Sequence, residues 1–254
     1  MNVIPKKHFG QHFLINENIS KKIADALDLE KSNNIIEIGP GTGSLTKFLI
    51  PKSNNLQLIE IDCQAVDFLK KQFPNTQIIH CDFLKLDLNK ISWENYNIIG
   101  NFPYNISTQI LFKIIEHRNN IHEVIGMFQK EVANRICSKP KNKTYGIPSV
   151  LIQAFFNCEQ LFDVDADNFQ PKPKVNSAIV KLTRNHTIYL GCKYDDFKKI
   201  IKSAFAQRRK KIKNALKNFT NLDNVDATLL SKRAEELSVS DFINLTKVIF
   251  PNSK

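Results

Sequence analysis

Asn34-Ile35-Ile36-Glu37-Ile38-Gly39-Pro40-Gly41-Thr42-Gly43-Ser44-Leu45-Thr46 is an isoleucine-rich run that breaks into alternating glycines and then resumes with apolar residues. It reads as a buried strand, a glycine loop and the start of a helix, the first half of a Rossmann-type unit. A dinucleotide-binding loop would carry its third glycine where Ser44 stands. The spacing instead fits a loop passing close to the methionine part of S-adenosylmethionine, with Gly39 and Gly41 as candidate contacts. Glycine at such a turn can also serve backbone geometry alone.

Further strands follow at the spacing of a repeated βα pattern. Leu56-Gln57-Leu58-Ile59-Glu60-Ile61-Asp62 ends in acids 21 residues after Gly39, where a carboxylate accepts from ribose hydroxyls. Glu60 is the expected ribose ligand and Asp62 a supporting turn residue. Gln77-Ile78-Ile79-His80 leads to Asp82 and Phe83, an acceptor and a ring for the adenine of a cofactor. Each acid alone reads more readily as a helix cap or a solvated charge, and it is their serial placement at successive strand ends that favours the cofactor reading.

Tyr96-Asn97-Ile98-Ile99-Gly100 is the fourth strand, and it runs into Asn101-Phe102-Pro103-Tyr104, with Ser107 as the expected N-cap of the next helix. The turn offers an amide oxygen (Asn101), a backbone carbonyl held by a proline ring (Pro103) and an aromatic face (Tyr104). An adenine amine could donate its hydrogens to the first two while the ring stacks on the third. The alternative is a plain proline turn with Asn at the helix entry and Tyr in the core. Glu123 to Gln129 is the fifth strand, and Ala154 to Val164 and Ser177 to Leu182 read as an antiparallel hairpin that finishes the sheet. Helices are expected at 130–138 and around Ser149. In the intervening loop, Phe169 is either a second stacking plate opposite Tyr104 or an anchor of the hairpin to the core. The fold class is therefore α/β, a Rossmann-like methyltransferase sheet of seven strands with the last antiparallel.

After Arg184 the strand pattern stops, and residues 194–250 carry helical spacing. The expected domains are 1–185, an N-terminal arm plus the methyltransferase sheet, and 186–254, a small all-α domain. Between Lys193 and Lys217 ten lysines and arginines face two aspartates. Arg208, Arg209, Lys210 and Lys211 are the expected phosphate-backbone footprint of an RNA partner. In the arm, Lys6 and Lys7 are candidates for phosphate contact or a solvated tail, and His12 and Leu14 for closing over a small ligand.

Composition agrees with a polyanionic partner. The 254 residues carry 36 Lys and Arg against 25 Asp and Glu, a formal charge of +11. Five dispersed cysteines without a Cys-x-x-Cys pair suggest neither a zinc site nor a disulfide framework, and a reducing cytoplasm is the expected setting. No apolar run approaches the ~18 residues of a membrane helix.

The ordered set Gly10-Gln11-His12-Phe13-Leu14, Glu37 to Gly43, Glu60-Ile61-Asp62, Asp82, Asn101 to Ser107, Phe169 to Ala178 and Phe205 to Lys210 resembles the adenine dimethyltransferases of small-subunit ribosomal RNA, relatives of the erythromycin-resistance methyltransferases. The resemblance spans nearly the whole chain. It implies methyl transfer from S-adenosylmethionine to the N6 amines of two adjacent adenines in a 3′-terminal hairpin of small-subunit RNA, on an immature 30S subunit, by a metal-free, membrane-free monomer. It implies Asn101, Pro103, Tyr104 and Phe169 as catalytic residues, and His12, Leu14, Gly39, Gly41, Glu60, Asp82 and Asn101 as cofactor residues. A related turn serves DNA adenine and protein glutamine methyltransferases, so methyl transfer to adenine in DNA or in large-subunit RNA is one alternative, and a ribosome-assembly binding factor with a vestigial site is the reading from another class. The family usually has Asn where His12 stands, Leu where Phe102 stands and Asp where Asn176 stands.

Overall fold

The computed structural model describes residues 3–185, 187 and 189–251. Seven strands form the sheet: β1 (Asn34–Ile38), β2 (Asn55–Glu60), β3 (Gln77–His80), β4 (Tyr96–Asn101), β5 (Ile121–Gln129), β6 (Phe156–Val164) and β7 (Ser177–Arg184). Their order is β3-β2-β1-β4-β5-β7-β6. The first five are mutually parallel, and β7 runs antiparallel to β5, with Met127 opposite Ile179. The uninterrupted burial of Ile35 to Ile38 and of Tyr96 to Gly100 is what a parallel sheet covered on both faces demands. The order reverses between β1 and β4, so the carboxyl ends of these two strands flank the crevice where such sheets bind ligands.

The chain packs into two compact units, Met1–Ala133 with Asn157–Arg184, and Asn134–Phe156 with Asn185–Lys254. The chain passes into the second unit at Asn134 and again after Arg184. Residues 134–156, assigned by sequence to the sheet domain, instead belong with the C-terminal helices. The reason is the helix Ile147–Gln153, which buries Val150, Leu151 and Ile152 within the second unit. That unit also holds the helices Tyr194–Ala206 and Val239–Ile249, whose Phe205 and Phe242 rings stack at 5.9 Å.

In the first unit the helix Glu17–Asp25 is capped by Asn16, whose side chain accepts from the amides of Asn18 and Ile19. Its Ile23 and Ala24 enter an apolar cluster with Leu27, Ile99 and Ile125. Asp62 caps the helix Cys63–Gln72. Ser107 does not cap the helix after β4. It is the first helical residue, the N-cap is Ile106, and the Ser107 hydroxyl is buried and donates to the Tyr104 carbonyl at 3.3 Å.

Two departures from the usual family residues have structural accounts. The Phe102 ring is wholly buried at 80° to Phe128, in space kept by two glycines: a Cβ on Gly100 or Gly126 would lie 2.8 or 2.6 Å from it. Asn176 both donates to the Asp165 carboxylate and accepts from the Ala166 amide, and an aspartate there could not donate.

Candidate active site

The glycine loop leaves β1 with Gly39, Gly41 and Gly43 at φ of +66°, +55° and +77°, a region costing other L-residues roughly 1–2 kcal/mol. The three differ in what surrounds them. A Cβ on Gly43 would meet the Phe73 ring at 2.4 Å and one on Gly41 the Phe13 ring at 2.8 Å. On Gly39 it would meet only a Pro103 ring carbon at 4.0 Å, because that glycine faces a cavity bounded also by Glu60, Asp82, Asn101 and Tyr104.

Glu60 shapes this loop as well as lining the cavity. One carboxylate oxygen accepts from the Gly41 amide at 3.0 Å and the other from the amides of Ile61 and Asp62. Burial raises its pKa against the pull of these three donors. Asp82 uses one oxygen on the Leu84 amide at 2.9 Å and its neighbour Phe83 presents a buried ring to the same cavity. Among the described residues no lysine or arginine lines the cavity. Two carboxylates, a bare glycine face and no competing cation fit a nucleoside that carries a diol, an amine and a positive sulfonium.

Glu37 was quoted in the motif but given no role by sequence. It is buried beneath the loop, accepts from the Thr46 hydroxyl at 2.7 Å, and is pushed up to about 8, first by burial and then by the nearby Glu60. It braces the glycines from below, and its burial favours the neutral carboxyl. Its signal was an acid inside an otherwise apolar strand.

Asn101 stands at the end of β4, and its amide orientation is fixed by chemistry. Its Nδ2 donates to the His12 carbonyl at 2.8 Å, which only the nitrogen can do. Oδ1 is left without a donor among the described residues. The Pro103 carbonyl spends one lone pair on the Ile106 amide at 3.1 Å and keeps the second. Tyr104 is held by a 2.5 Å hydrogen bond between its hydroxyl and the buried Ser177 hydroxyl, a partner unforeseen in the sequence. Burial raises the Tyr104 pKa despite that bond.

His12 carries three contacts at once: its carbonyl to Asn101, its Nδ1 at 2.6 Å from the Pro171 carbonyl, and its ring stacked on Tyr104 at 5.5 Å and 24°. Two plates around a base stand roughly 7 Å apart, twice the base-stacking spacing along a nucleic-acid strand. The imidazole therefore occupies one face of Tyr104 and leaves no room for a base between them.

Other expected residues lie elsewhere. Phe169 is 3 % exposed, pairs across a two-residue ladder with Leu14, and sits in the apolar cluster; neither side chain lines the cavity. Phe169 sits as an anchor of its loop, paired with Leu14 and in one apolar cluster with Ile23 and Ala24 of the helix at 17–25. The Leu14 side chain is likewise buried in that cluster. Lys6 is engaged with Asp62, its ammonium 2.5 Å from the carboxylate, and Gln11 donates to the same group at 3.1 Å. Burial opposes ionisation of Asp62, yet these two donors hold its carboxyl below the ordinary range. Asp62 thereby straps the N-terminal arm to β2, and Lys6 is not a free phosphate ligand. Lys7 is exposed.

In the second unit, Arg208 reaches Glu235 at 2.6 Å and donates to the Lys143 carbonyl at 2.6 Å. It ties the unit together rather than facing solvent freely. Arg209, Lys210 and Lys211 are exposed.

The profile of the family described as "Ribosomal RNA adenine dimethylase" matches residues 4–250. The chain is 47 % identical over 250 residues to "Ribosomal RNA small subunit methyltransferase A" of Cytophaga hutchinsonii, covering 96 % of each chain. It is 49 % identical over 249 residues to the protein of that name from Flavobacterium johnsoniae, covering 96 % of this chain and 95 % of that one. Among solved structures, a dimethyladenosine transferase from Plasmodium falciparum superposes with a TM-score of 0.81 at 26 % identity, over 95 % of this chain and 98 % of that one. The 23S rRNA methyltransferase ErmE shares the fold, with a TM-score of 0.72 at 23 % identity over 93 % and 99 % of the two chains.

Proposed function

The chain belongs to the ribosomal RNA adenine dimethylase family, and from that membership we propose how its own residues methylate adenine. It is an S-adenosylmethionine-dependent methyltransferase that places two methyl groups on the N6 amine of each of two adjacent adenines near the 3′ end of small-subunit ribosomal RNA. Its substrate is the RNA in an immature small subunit in the cytoplasm. The chemistry calls on no metal and on one copy of the chain.

S-adenosylmethionine, when bound, supplies an electrophilic methyl group on a cationic sulfur. Glu60 would take the ribose hydroxyls, Asp82 the adenine amine of the cofactor, and Gly39 the close approach of the methionine part. The observation that carries the reading is the fixed flip of Asn101. With Nδ2 committed to the His12 carbonyl, Oδ1 is an acceptor in the cavity that Gly39, Glu60 and Asp82 line.

An aromatic amine is a poor nucleophile because its lone pair is delocalised into the ring. In the first transfer the amine's two hydrogens are accepted at Asn101 Oδ1 and at the second lone pair of the Pro103 carbonyl, and in the second its one remaining hydrogen is accepted at one of these, which draws the nitrogen towards tetrahedral geometry. The lone pair is then aimed along the Gly39 face, and Tyr104 holds the ring. Once alkylated the nitrogen is acidic and loses its proton to water, so no dedicated base is required. Positioning of this kind supplies up to ~7–11 kcal/mol of barrier reduction. Exposed Arg209, Lys210 and Lys211 are the proposed phosphate contacts of the helical unit, together with Lys7 of the arm.

The test is incubation of the purified protein with labelled cofactor and immature small subunits, followed by digestion of the RNA to nucleosides and mass spectrometry. Dimethyladenosine from two neighbouring adenines is expected. Label confined to monomethylated adenine, to another base or to large-subunit RNA would refute the reading.

A further inference from the structure

Beside the cofactor cavity, and within the same unit, lies a second groove that the reaction as derived leaves unused. The two share Gly10, Gln11, His12 and Tyr104 as walls. The rest of the groove is Pro5, Lys7, Gln129 and the loop Pro171-Lys172-Pro173-Lys174-Val175. Among the described residues no carboxylate lines it. Lys7 and Lys174 are exposed, and no acid pairs with either among those residues. Lys172 does pair with Asp167, but their side chains are 63 % and 78 % exposed, where such pairs contribute ~0–1 kcal/mol.

The groove is also apolar where it is open. Val175 is a large hydrophobic left 46 % exposed, and Pro171 on the same groove is exposed as well. Gln129 adds an amide with both a donor and an acceptor. Flat apolar surface, unpaired cations and one amide are the components of a single-stranded nucleic-acid groove: stacking surface for a base, charge for the phosphates, and an edge to read. The loop is stiffened by Pro171 and Pro173, so little order need be imposed on binding.

We propose that this groove binds the nucleotide adjacent to the one whose base enters the Tyr104 turn, with its phosphate on Lys7 and Lys174 and its sugar and base over Pro171 and Val175. The proposal rests on the function above and names a further part of its substrate. His12 marks where the strand crosses from groove to cavity, since the residue lines both and its Nδ1 is tied to the groove residue Pro171.

The experiment uses the full chain, its Lys174→Ala and Val175→Asp variants, and a small-subunit RNA hairpin with a single neutral methylphosphonate at one or other linkage flanking the target adenine. KM and kcat are measured for methylation, and Kd by fluorescence anisotropy. Lys174→Ala is expected to raise KM and Kd for the all-phosphate hairpin about 5-fold, the effect of one lost cation–phosphate contact, with kcat and cofactor affinity unchanged. Val175→Asp should raise them about 10-fold by adding a like charge. One neutral linkage should weaken the parent protein as much as Lys174→Ala does, and the two losses should not add. Unchanged values for both variants, or additive losses at both flanking linkages, overturn the groove. Failure of the parent protein to methylate immature small subunits overturns the function instead, and the Kd coupling on the hairpin still decides the groove.

Discussion

Gly39→Ala separates a cofactor face from a structural turn, and the structure supplies both magnitudes. The new methyl meets only a Pro103 ring carbon at 4.0 Å, so the protein itself has room for it. The stability loss is then the conformational cost of φ +66°, about 1–2 kcal/mol. At roughly 2–4 °C per kcal/mol for a chain of this size, the melting temperature falls by about 2–8 °C. The methyl stands where the methionine part of the cofactor is to pass, and overpacking by one carbon costs ~1–3 kcal/mol, a 5- to 150-fold weaker Kd by rough conversion. Gly43→Ala is the control. Its methyl would lie 2.4 Å from the Phe73 ring and that glycine does not line the cavity. It should lose more stability and less affinity than Gly39→Ala. Calorimetric titration with S-adenosylmethionine and thermal melts of both variants provide the assay. Near-parental cofactor affinity in Gly39→Ala, or a greater affinity loss in Gly43→Ala, would refute the placement of the cofactor on the Gly39 face.

Glu37→Gln tests the buried brace. A folded pKa of about 8 against an ordinary value of 4.5 means the folded state keeps a proton that the unfolded chain gives up, so stability is full below pH 4.5 and falls as pH rises towards 8. Gln, neutral and still able to accept from Thr46, should melt higher than the parent at pH 8 and no higher at pH 4.5; a difference independent of pH counts against a protonated Glu37. Tyr104→Phe loses only the hydrogen bond to Ser177, about 1 kcal/mol of stability, and should methylate near the parental rate, whereas Tyr104→Ala should raise the RNA KM by the ~1–3 kcal/mol of a lost stack; equal effects would place the role of Tyr104 in its hydroxyl. Arg208→Ala should lower the melting temperature by breaking the bonds to Glu235 and Lys143, while joint replacement of Arg209, Lys210 and Lys211 by Ala should leave stability intact and shrink the salt slope of RNA binding by about 2–3; an unchanged slope removes these residues from the interface.

The sheet was legible because its information is local. Apolar runs at 34–38, 56–60, 77–80 and 96–100 need no tertiary knowledge to be read as strands, and glycines and acids at their carboxyl ends identify the crevice. What depended on long-range contacts was not legible. Lys6 reads as a free cation until Asp62, 56 residues away, is folded against it. Phe169 reads equally well as plate or anchor until Leu14 pairs with it, and Arg208 belongs to a basic run until Glu235 arrives. The helix at 147–153 follows the sheet pattern in sequence and packs with the later helices, because burial rather than chain order decides its partners. The stacking of His12 on Tyr104 had no sequence signal at all, since the two residues sit on separate loops 92 positions apart.

The central claim is that the Asn101 amide oxygen accepts the target amine and that this contact is made most strongly as the methyl moves. It is tested by single-turnover methylation of small-subunit RNA by Asn101→Ala with RNA and cofactor both saturating, and with their dissociation constants measured separately. The account predicts a rate lower by about 10²–10³, the usual cost of removing one preorganised group at a developing charge, with both affinities within about 3-fold of the parent. A parental single-turnover rate, or a loss that disappears once RNA or cofactor binding is saturated, would contradict it.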